Sequence, residues 1–452
     1  MIEKPASEDN RDVTIEKMVL GGYGLGRLPS GKVVLVTGVL PGEKVAIKTV
    51  RKKKDYQIAM PAAVTETSAF RVSPPCPYYE ICGGCDLQHI SYRQQLAEKR
   101  SMLIDHFGHS GLGQTVLERV EEVVPSAREF GYRQRIRLHV DSDTRAIGYH
   151  RKDSHQVVDI AACLIADPLL NEVLAGLRQN AQFIRLVRQI TEISLLKDET
   201  AAGVTAVLKW RRKLRPAEKK VLEELVLQIS ILEAFMVEDS TGHKVIPATK
   251  KEQLFLRFTL KLDGPAAHPL RIRVESGGFT QVNTGVNHAL IKTVLDWAEK
   301  LKSRRVLDLF CGMGNFAIPL SLVADEVYGV DLQRAAIRAA ERNAEDNGRE
   351  NCYFLRGSAQ EGAARLLAEG ERFDTVVLDP PRQGCSEVID AVDRLGAVHL
   401  IYVSCDPATL ARDLGLLLSR HFRIEAIKPF DMFPQTHHLE TVVLLTREDA
   451  GT

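Results

Sequence analysis

The chain has 452 residues, 44% of them hydrophobic and 26% charged, with 60 basic side chains against 59 acidic ones. That length exceeds one ordinary core and predicts two or three domains, in the balance of a soluble globular protein. A formal net charge of +1 leaves any nucleic-acid role to local basic runs, and no apolar run approaches the roughly 18 residues a membrane helix needs.

The opening stretch, MIEKPASEDNRD, is polar and of mixed charge, unlike a signal or transit peptide. A cytoplasmic protein is expected, and its eight cysteines then read as metal ligands, catalytic groups or packing residues rather than disulfides. From Val13 to about Thr67, short apolar runs alternate with Gly- and Pro-bearing turns, which predicts a five-stranded barrel of the oligonucleotide-binding type, bounded at 8–70. It carries Lys44, Lys48, Arg51, Lys52, Lys53 and Lys54. A solvated face is the ordinary fate of such a run, but on a small barrel ahead of a catalytic domain RNA binding is favoured.

Residues 71–280 read as a mixed α/β central domain that opens with a cysteine-bearing loop. Arg133, Arg135 and Arg137 recur at period two, as on one face of a strand, and a second basic cluster spans Lys209 to Arg215. Either could line an RNA path or be a wet surface. From about Leu290 the runs VLDLF, EVYGVD, CYFL, DTVVLD, HLIYVSC, RIEAIKPF and TVVLL alternate with helical segments. That alternation predicts a doubly wound, mostly parallel α/β sheet over 281–452.

The stretch from Val306 to Ala317 joins a strand, a glycine turn and a helix start, with Gly312 and Gly314 in the turn. Asp331 ends the next strand, where a carboxylate can accept ribose hydroxyls. The spacing also satisfies a dinucleotide fingerprint, so an NAD enzyme competes. DPPR after the fourth strand and SCDP after the fifth argue instead for a nucleobase methyltransferase. The arginine after Pro-Pro, where amino-methylating enzymes carry an aromatic residue, points away from amino methylation.

Methylation of uracil C5 needs a thiolate that adds at C6 and a base that later removes the C5 proton. Cys405 follows the apolar strand HLIYVS at the end where open α/β sheets bind ligands. Cys311 and Cys352 read as packing residues, and Cys385, beside DPPRQG, is the rival nucleophile. Glu440, before the apolar run TVVLL, is the candidate base. Cys76, Cys82 and Cys85, with Cys163 downstream, suit a closed four-thiolate site, for which zinc and iron–sulfur fit equally by spacing.

With FTQVN (279–283), DLFCGMGNF (308–316), DPPRQG (379–384), SCDPATLARDL (from Ser404) and HHLE (ending at Glu440), the chain resembles the RNA (uracil-5-)-methyltransferases. It is most similar to the branch with an N-terminal TRAM domain that acts on large-subunit ribosomal RNA, and the resemblance covers almost the whole chain. It implies a TRAM barrel, a Rossmann-like methyltransferase domain, Cys405 as nucleophile and Glu440 as base. It further implies S-adenosylmethionine contacts from Gln281, Phe310, Gly312, Asn315, Asp331 and Asp379, with Ser358 where the family often has Asn or Asp. A [4Fe-4S] cluster on Cys76, Cys82, Cys85 and Cys163 is implied, as is a 23S ribosomal RNA target, with transfer RNA the alternative. A monomer without DNA or membrane partners is expected. Two other readings compete: a non-catalytic RNA-binding or assembly factor, and 5-methylcytosine formation by the same thiolate logic.

Overall fold

The computed structural model describes residues 12–200, 203–250, 255–260, 269–275, 278 and 280–448. The expected start of the barrel at residue 8 and Phe279 of the FTQVN motif lie outside them. Five strands, β1 (Asp12–Val19), β2 (Tyr23–Arg27), β3 (Val33–Thr37), β4 (Lys44–Lys52) and β5 (Tyr56–Glu66), close a barrel in the order β1-β2-β3-β5-β4. Strict alternation drives the closure. Val13 and Ile15, Val34 and Val36, and Val45 and Ile47 all point inward and are buried, while the residues between them face out.

The central sheet contains β6 (Arg135–Val140), β7 (Ile147–His150), β8 (Val157–Asp159), β9 (Ile190–Lys197), β10 (Val204–Trp210), β11 (Leu232–Glu238) and β12 (Lys244–Thr249). Its order is β12-β11-β10-β9-β6-β7-β8. The helices Pro168–Gln179 and Pro216–Gln228 bury Leu170, Leu174, Leu222 and Leu225 in the core of this domain. Of the three period-two arginines, Arg135 and Arg137 belong to β6. Arg133 precedes it in an isolated bridge to Ala166, so the expected single face holds two of the three. A hairpin of β13 (Phe255–Leu260) and β14 (Leu270–Glu275) leads on to the third unit.

That unit is a seven-stranded sheet of β15 (Arg305–Leu309), β16 (Glu326–Asp331), β17 (Cys352–Arg356), β18 (Thr375–Leu378), β19 (His399–Ser404), β20 (Phe422–Phe430) and β21 (Glu440–Arg447). The order is β17-β16-β15-β18-β19-β21-β20, with every neighbouring pair parallel except those made by β21. The fold class is therefore the expected α/β architecture with an N-terminal barrel and a Rossmann-like sheet. β15, β18 and β19 are almost continuously buried, as strands covered on both faces must be. The segment 92–124, expected with the central domain, joins this sheet. Its helix Tyr92–His109 sinks Leu103 and Phe107 into the same core as Leu410 and Tyr402, and Val120 and Val124 bridge to Ile427 and Phe430 of β20. Each such fully buried side chain contributes about 1.5–3 kcal/mol. Among the described residues no helix is long and apolar enough to cross a membrane.

Candidate active site

The site forms at the carboxyl ends of the parallel strands, where β15 hands over to a tight turn. Phe310 adopts a left-handed backbone (φ 68°), followed by Gly312 (φ 56°) and Gly314 (φ 90°). A Cβ on Gly312 would meet open space, whereas one on Gly314 would strike Ile318 at 2.7 Å. The turn thus presents bare backbone toward a cavity on one side and packs tightly on the other. Asp331, at the end of β16, accepts from the Gly312 amide (3.0 Å) and the Gln333 amide (2.7 Å), which pins the turn to the neighbouring strand.

Asn315 pairs reciprocally with Asn287 through their amides (3.0 and 3.2 Å). Asn287 and Gln281 line one small cavity, so Gln281 and Asn315 approach the same region from two sides. Ser358 has another occupation. Its hydroxyl caps the helix Ala359–Ala368, accepting from the Glu361 amide (3.2 Å) and donating to the Glu361 carboxylate (2.9 Å). A broad groove of about 660 Å³ lies elsewhere, along the outer strand β17 among Tyr328, Arg349 and Tyr353, and contains none of the expected site residues.

Asp308 was not singled out from the sequence, although a carboxylate inside the apolar run VLDLF was a usable signal. It is fully buried, and neither carboxylate oxygen has a hydrogen-bond partner of normal geometry. Burial, and then the charges of Asp379 and Asp331, push its proton affinity far above the usual carboxylate range. Asp308, Asp331 and Asp379 therefore form a cluster of carboxyl groups beneath the turn, close enough that two of them act on the buried third.

The candidate pair Cys405 and Glu440 stands just past the end of β19 and at the start of β21. The antiparallel ladder of these strands runs from His399 opposite Thr446 to Ser404 opposite Thr441; Cys405 follows the last of these residues and Glu440 precedes its partner, close enough that the Glu440 charge acts on the thiol. Cys405 is part-exposed and directly precedes the helix Pro407–Leu418. Asp406 caps that helix by accepting from the Ala408 and Thr409 amides (both 3.0 Å). Burial pushes the Cys405 thiol up to about 11. The charges of Glu440, Asp379 and Asp406 add to this, and Arg382 opposes it. Glu440 is 3% exposed, and burial followed by the Asp379 charge holds its carboxyl well above the usual range, again against Arg382. Asp379 is part-exposed, yet burial pushes it up to about 7.

Arg382 is thus the positive charge of the site, and its loop is clamped from behind. Thr409 Oγ1 donates to the Arg382 carbonyl (3.1 Å), and Arg412 Nη2 donates to the Gln383 carbonyl (2.8 Å). Asp413 accepts from the Cys385 amide (2.8 Å) and the Tyr402 hydroxyl (2.7 Å). Cys385 belongs to this clamp. It is fully buried, its thiol is pushed up to about 12 and its sulfur lies 3.4 Å from the Tyr402 hydroxyl, so it has no access to a substrate.

Cys76, Cys82, Cys85 and Cys163 are part-exposed and close enough that Cys163 acts electrostatically on each of the other three. Burial pushes Cys82 up to about 11 and Cys85 up to about 12. Among the described residues no three His, Cys, Asp or Glu side chains converge tightly enough to hold a metal ion as they stand.

Residues 91–448 match the family model described as tRNA (Uracil-5-)-methyltransferase. The chain belongs to this family. It is accordingly an RNA uracil-5 methyltransferase, of a class of S-adenosylmethionine-dependent enzymes. Similar curated proteins include a 23S rRNA (uracil(1939)-C(5))-methyltransferase of Mannheimia succiniciproducens, 32% identical and covering 97% of this chain and 96% of its own length. An RNA methyltransferase of Aquifex aeolicus is 34% identical over 97% of this chain and 98% of its own. Among solved structures, the Pyrococcus abyssi tRNA (uracil-54, C5)-methyltransferase in complex with S-adenosyl-L-homocysteine superposes with a TM-score of 0.73 at 25% identity, over 96% of this chain and all of that one.

Proposed function

We propose that this uracil-5 methyltransferase works by covalent catalysis, with Cys405 adding to C6 of the target uracil and Glu440 removing the C5 proton. The observation that carries the reading is the ladder ending at Ser404 and Thr441, whose flanking residues Cys405 and Glu440 lie within electrostatic reach of each other and of Asp379 and Arg382. The Cys405 thiolate attacks C6, and the ring electrons pass to C5 and the C4 carbonyl. When bound, S-adenosylmethionine supplies an electrophilic methyl group for C5. Glu440 then takes the C5 proton, the C5–C6 double bond re-forms and the thiolate leaves. A carboxyl held above its usual range has the proton affinity this last step requires.

The cofactor would sit across the Gly312 turn, with Gln281, Phe310, Asn315, Asp331 and Asp379 around it. The cluster of Asp308, Asp331 and Asp379, in which the like charges of the other two raise the proton affinity of Asp308, would suit a nearby sulfonium cation. Ser358, with its hydroxyl engaged in a helix cap, would contribute backbone rather than side chain. An RNA carrying 5-fluorouridine at the target should trap a covalent adduct on Cys405, because fluorine at C5 cannot leave as a proton. No adduct, or one on Cys385, would overturn the assignment.

For the substrate we propose a uridine of 23S ribosomal RNA, supported by relatives of that name aligned over nearly their whole length. The transfer-RNA enzyme from Pyrococcus abyssi supports the second reading. Mapping 5-methyluridine in ribosomal and transfer RNA from a deletion strain separates the two. The barrel would grip the RNA backbone, and the division near residues 70 and 280 would hold except that 92–124 serves the catalytic sheet. Cys76, Cys82, Cys85 and Cys163 would hold a [4Fe-4S] cluster, a reading supported by Cys76, Cys82 and Cys85, which all feel the Cys163 charge and whose thiolate forms burial disfavours without a cation. Anaerobically purified protein should contain iron and acid-labile sulfide; zinc alone would overturn it.

A further inference from the structure

Residues 431–439, between β20 and β21, carry Glu440 at their end and form no helix or strand of their own. Beyond a turn in which Thr436 bonds back to the Phe433 carbonyl, their shape is set by contacts from other elements. Lys99, fully buried, reaches Asp431 (2.5 Å) and donates to the Phe433 carbonyl (3.1 Å). Tyr132 donates to the Pro434 carbonyl (3.0 Å). Gln435 holds a left-handed backbone (φ 71°) and exchanges two hydrogen bonds with Gln95.

The last anchor before Glu440 is different in origin. The amides of Asp86 and Leu87, directly after Cys85, donate to the Gln435 carbonyl (3.1 and 3.0 Å). The Asp86 carboxylate then meets His437 Nδ1 at 2.5 Å. Against this pair rests the β1–β2 turn of the barrel. A Cβ on Gly22 (φ 74°) would lie 3.2 Å from Asp86 Cγ and 3.3 Å from His437 Cβ. The barrel, the cysteine loop and the base-bearing loop thus converge on one contact. Next along the chain, His438 senses the Arg382 charge, as Glu440 does, and Leu439 is buried in the sheet core.

We infer that His437, held by Asp86, is a positioning residue that fixes the approach of Glu440 to the reacting uracil. The contact acts through Glu440 alone, because Cys405 is held independently by β19 and the helix after it. Loosening it should leave thiolate addition and methyl transfer in place and slow the final proton removal. The species that accumulates is then the methylated, covalently attached RNA.

The inference rests on the proposed role of Glu440, and the experiment separates the two. Full-length enzyme, S-adenosylmethionine and RNA with ordinary uridine are mixed, and the denaturant-stable protein–RNA complex is measured alongside kcat and KM. Glu440→Gln should accumulate the complex; if it does not, the base assignment itself fails. His437→Ala should accumulate it too, with kcat reduced about ten- to a hundredfold, the scale of a misplacement near 1 Å, and KM for RNA within about twofold. His437→Asn, whose amide can still donate to Asp86, should recover most of kcat. Asp86→Asn loosens the same contact from the other side and gives a second route should His437→Ala fold poorly. If Glu440→Gln traps RNA while the His437 and Asp86 variants show no complex and unchanged kcat, or only a raised KM, the inference is overturned.

Discussion

The reactivity of Cys405 in the RNA-free enzyme can be worked out from its surroundings. Burial and three nearby carboxylates push its thiol up to about 11, with Arg382 alone in opposition among the leading influences. At pH 8 about one molecule in a thousand should then carry the thiolate, the form that reacts with an alkylating agent. Iodoacetamide labelling of the Cys405 peptide, followed by mass spectrometry, should accelerate about tenfold per pH unit from 7 to 10. Glu440→Gln removes a negative neighbour and should shift this profile to lower pH. A shift of about one unit, the scale for a charge within contact range, gives about tenfold faster labelling at pH 8. Arg382→Ala should move the profile the other way. Cys385, fully buried, supplies an internal reference that stays unlabelled while the fold persists. A profile that levels off below pH 8 in the wild type, or an unchanged or slower rate in Glu440→Gln, would refute the electrostatic account.

Lys99→Met should leave Asp431 as a buried, unpaired charge and cost about 3–5 kcal/mol in urea unfolding, while adding Asp431→Leu should recover much of the loss. Gly384 has φ 75°, and a Cβ there would sit 2.4 Å from Asp413 Oδ2. Gly384→Ala should cost about 1–3 kcal/mol in the same assay and lower kcat by displacing Arg382. His89, buried between the Tyr79 hydroxyl (2.6 Å) and the Val39 carbonyl (3.2 Å), has its pKa pushed down to about 4 by burial. The unfolded chain takes up this proton first, so the contribution is whole above pH 6.5 and drains away as pH falls toward 4. About 3 kcal/mol is lost in all. Nuclear magnetic resonance titration of the His89 ring should give a midpoint near 4, and His89→Gln should flatten that part of the acid limb.

Much of the scaffold follows from local pattern. Alternation in β1, β3 and β4 is enough to close a barrel, and the buried strand before Gly312 is enough to place a nucleoside turn. Cys405 stands out as a candidate because an apolar strand ends in a polar, helix-starting segment, and the structure has that strand and that helix. What local pattern lacks is register and distant packing. Glu440 gains its meaning from Cys405, 35 residues earlier in sequence but brought within reach of its charge by the pairing of β19 with β21. Cys385 loses its claim because Tyr402 and Asp413 enclose it. Residues 92–124 join the last sheet through Phe107 and Val124, although they stand nearly two hundred residues before it in the chain. Ser358 is consumed by the ordinary needs of a helix end, which a serine followed at the third position by Glu361 did signal.

The reversed direction of β21 carries one more consequence. A parallel strand in its place would open at the opposite edge of the sheet, and Glu440 would begin its run far from the sulfur. Reversal turns a strand's entry into a partner for its neighbour's exit, so backbone hydrogen bonds act as the ruler between the strand start that carries Glu440 and the strand end that precedes Cys405. Insertions in the exposed connections of this domain should leave that ruler intact. A single residue added within β21 would put Glu440 out of step with the residues after it, so that either their buried face or the place of Glu440 beside the end of β19 is lost.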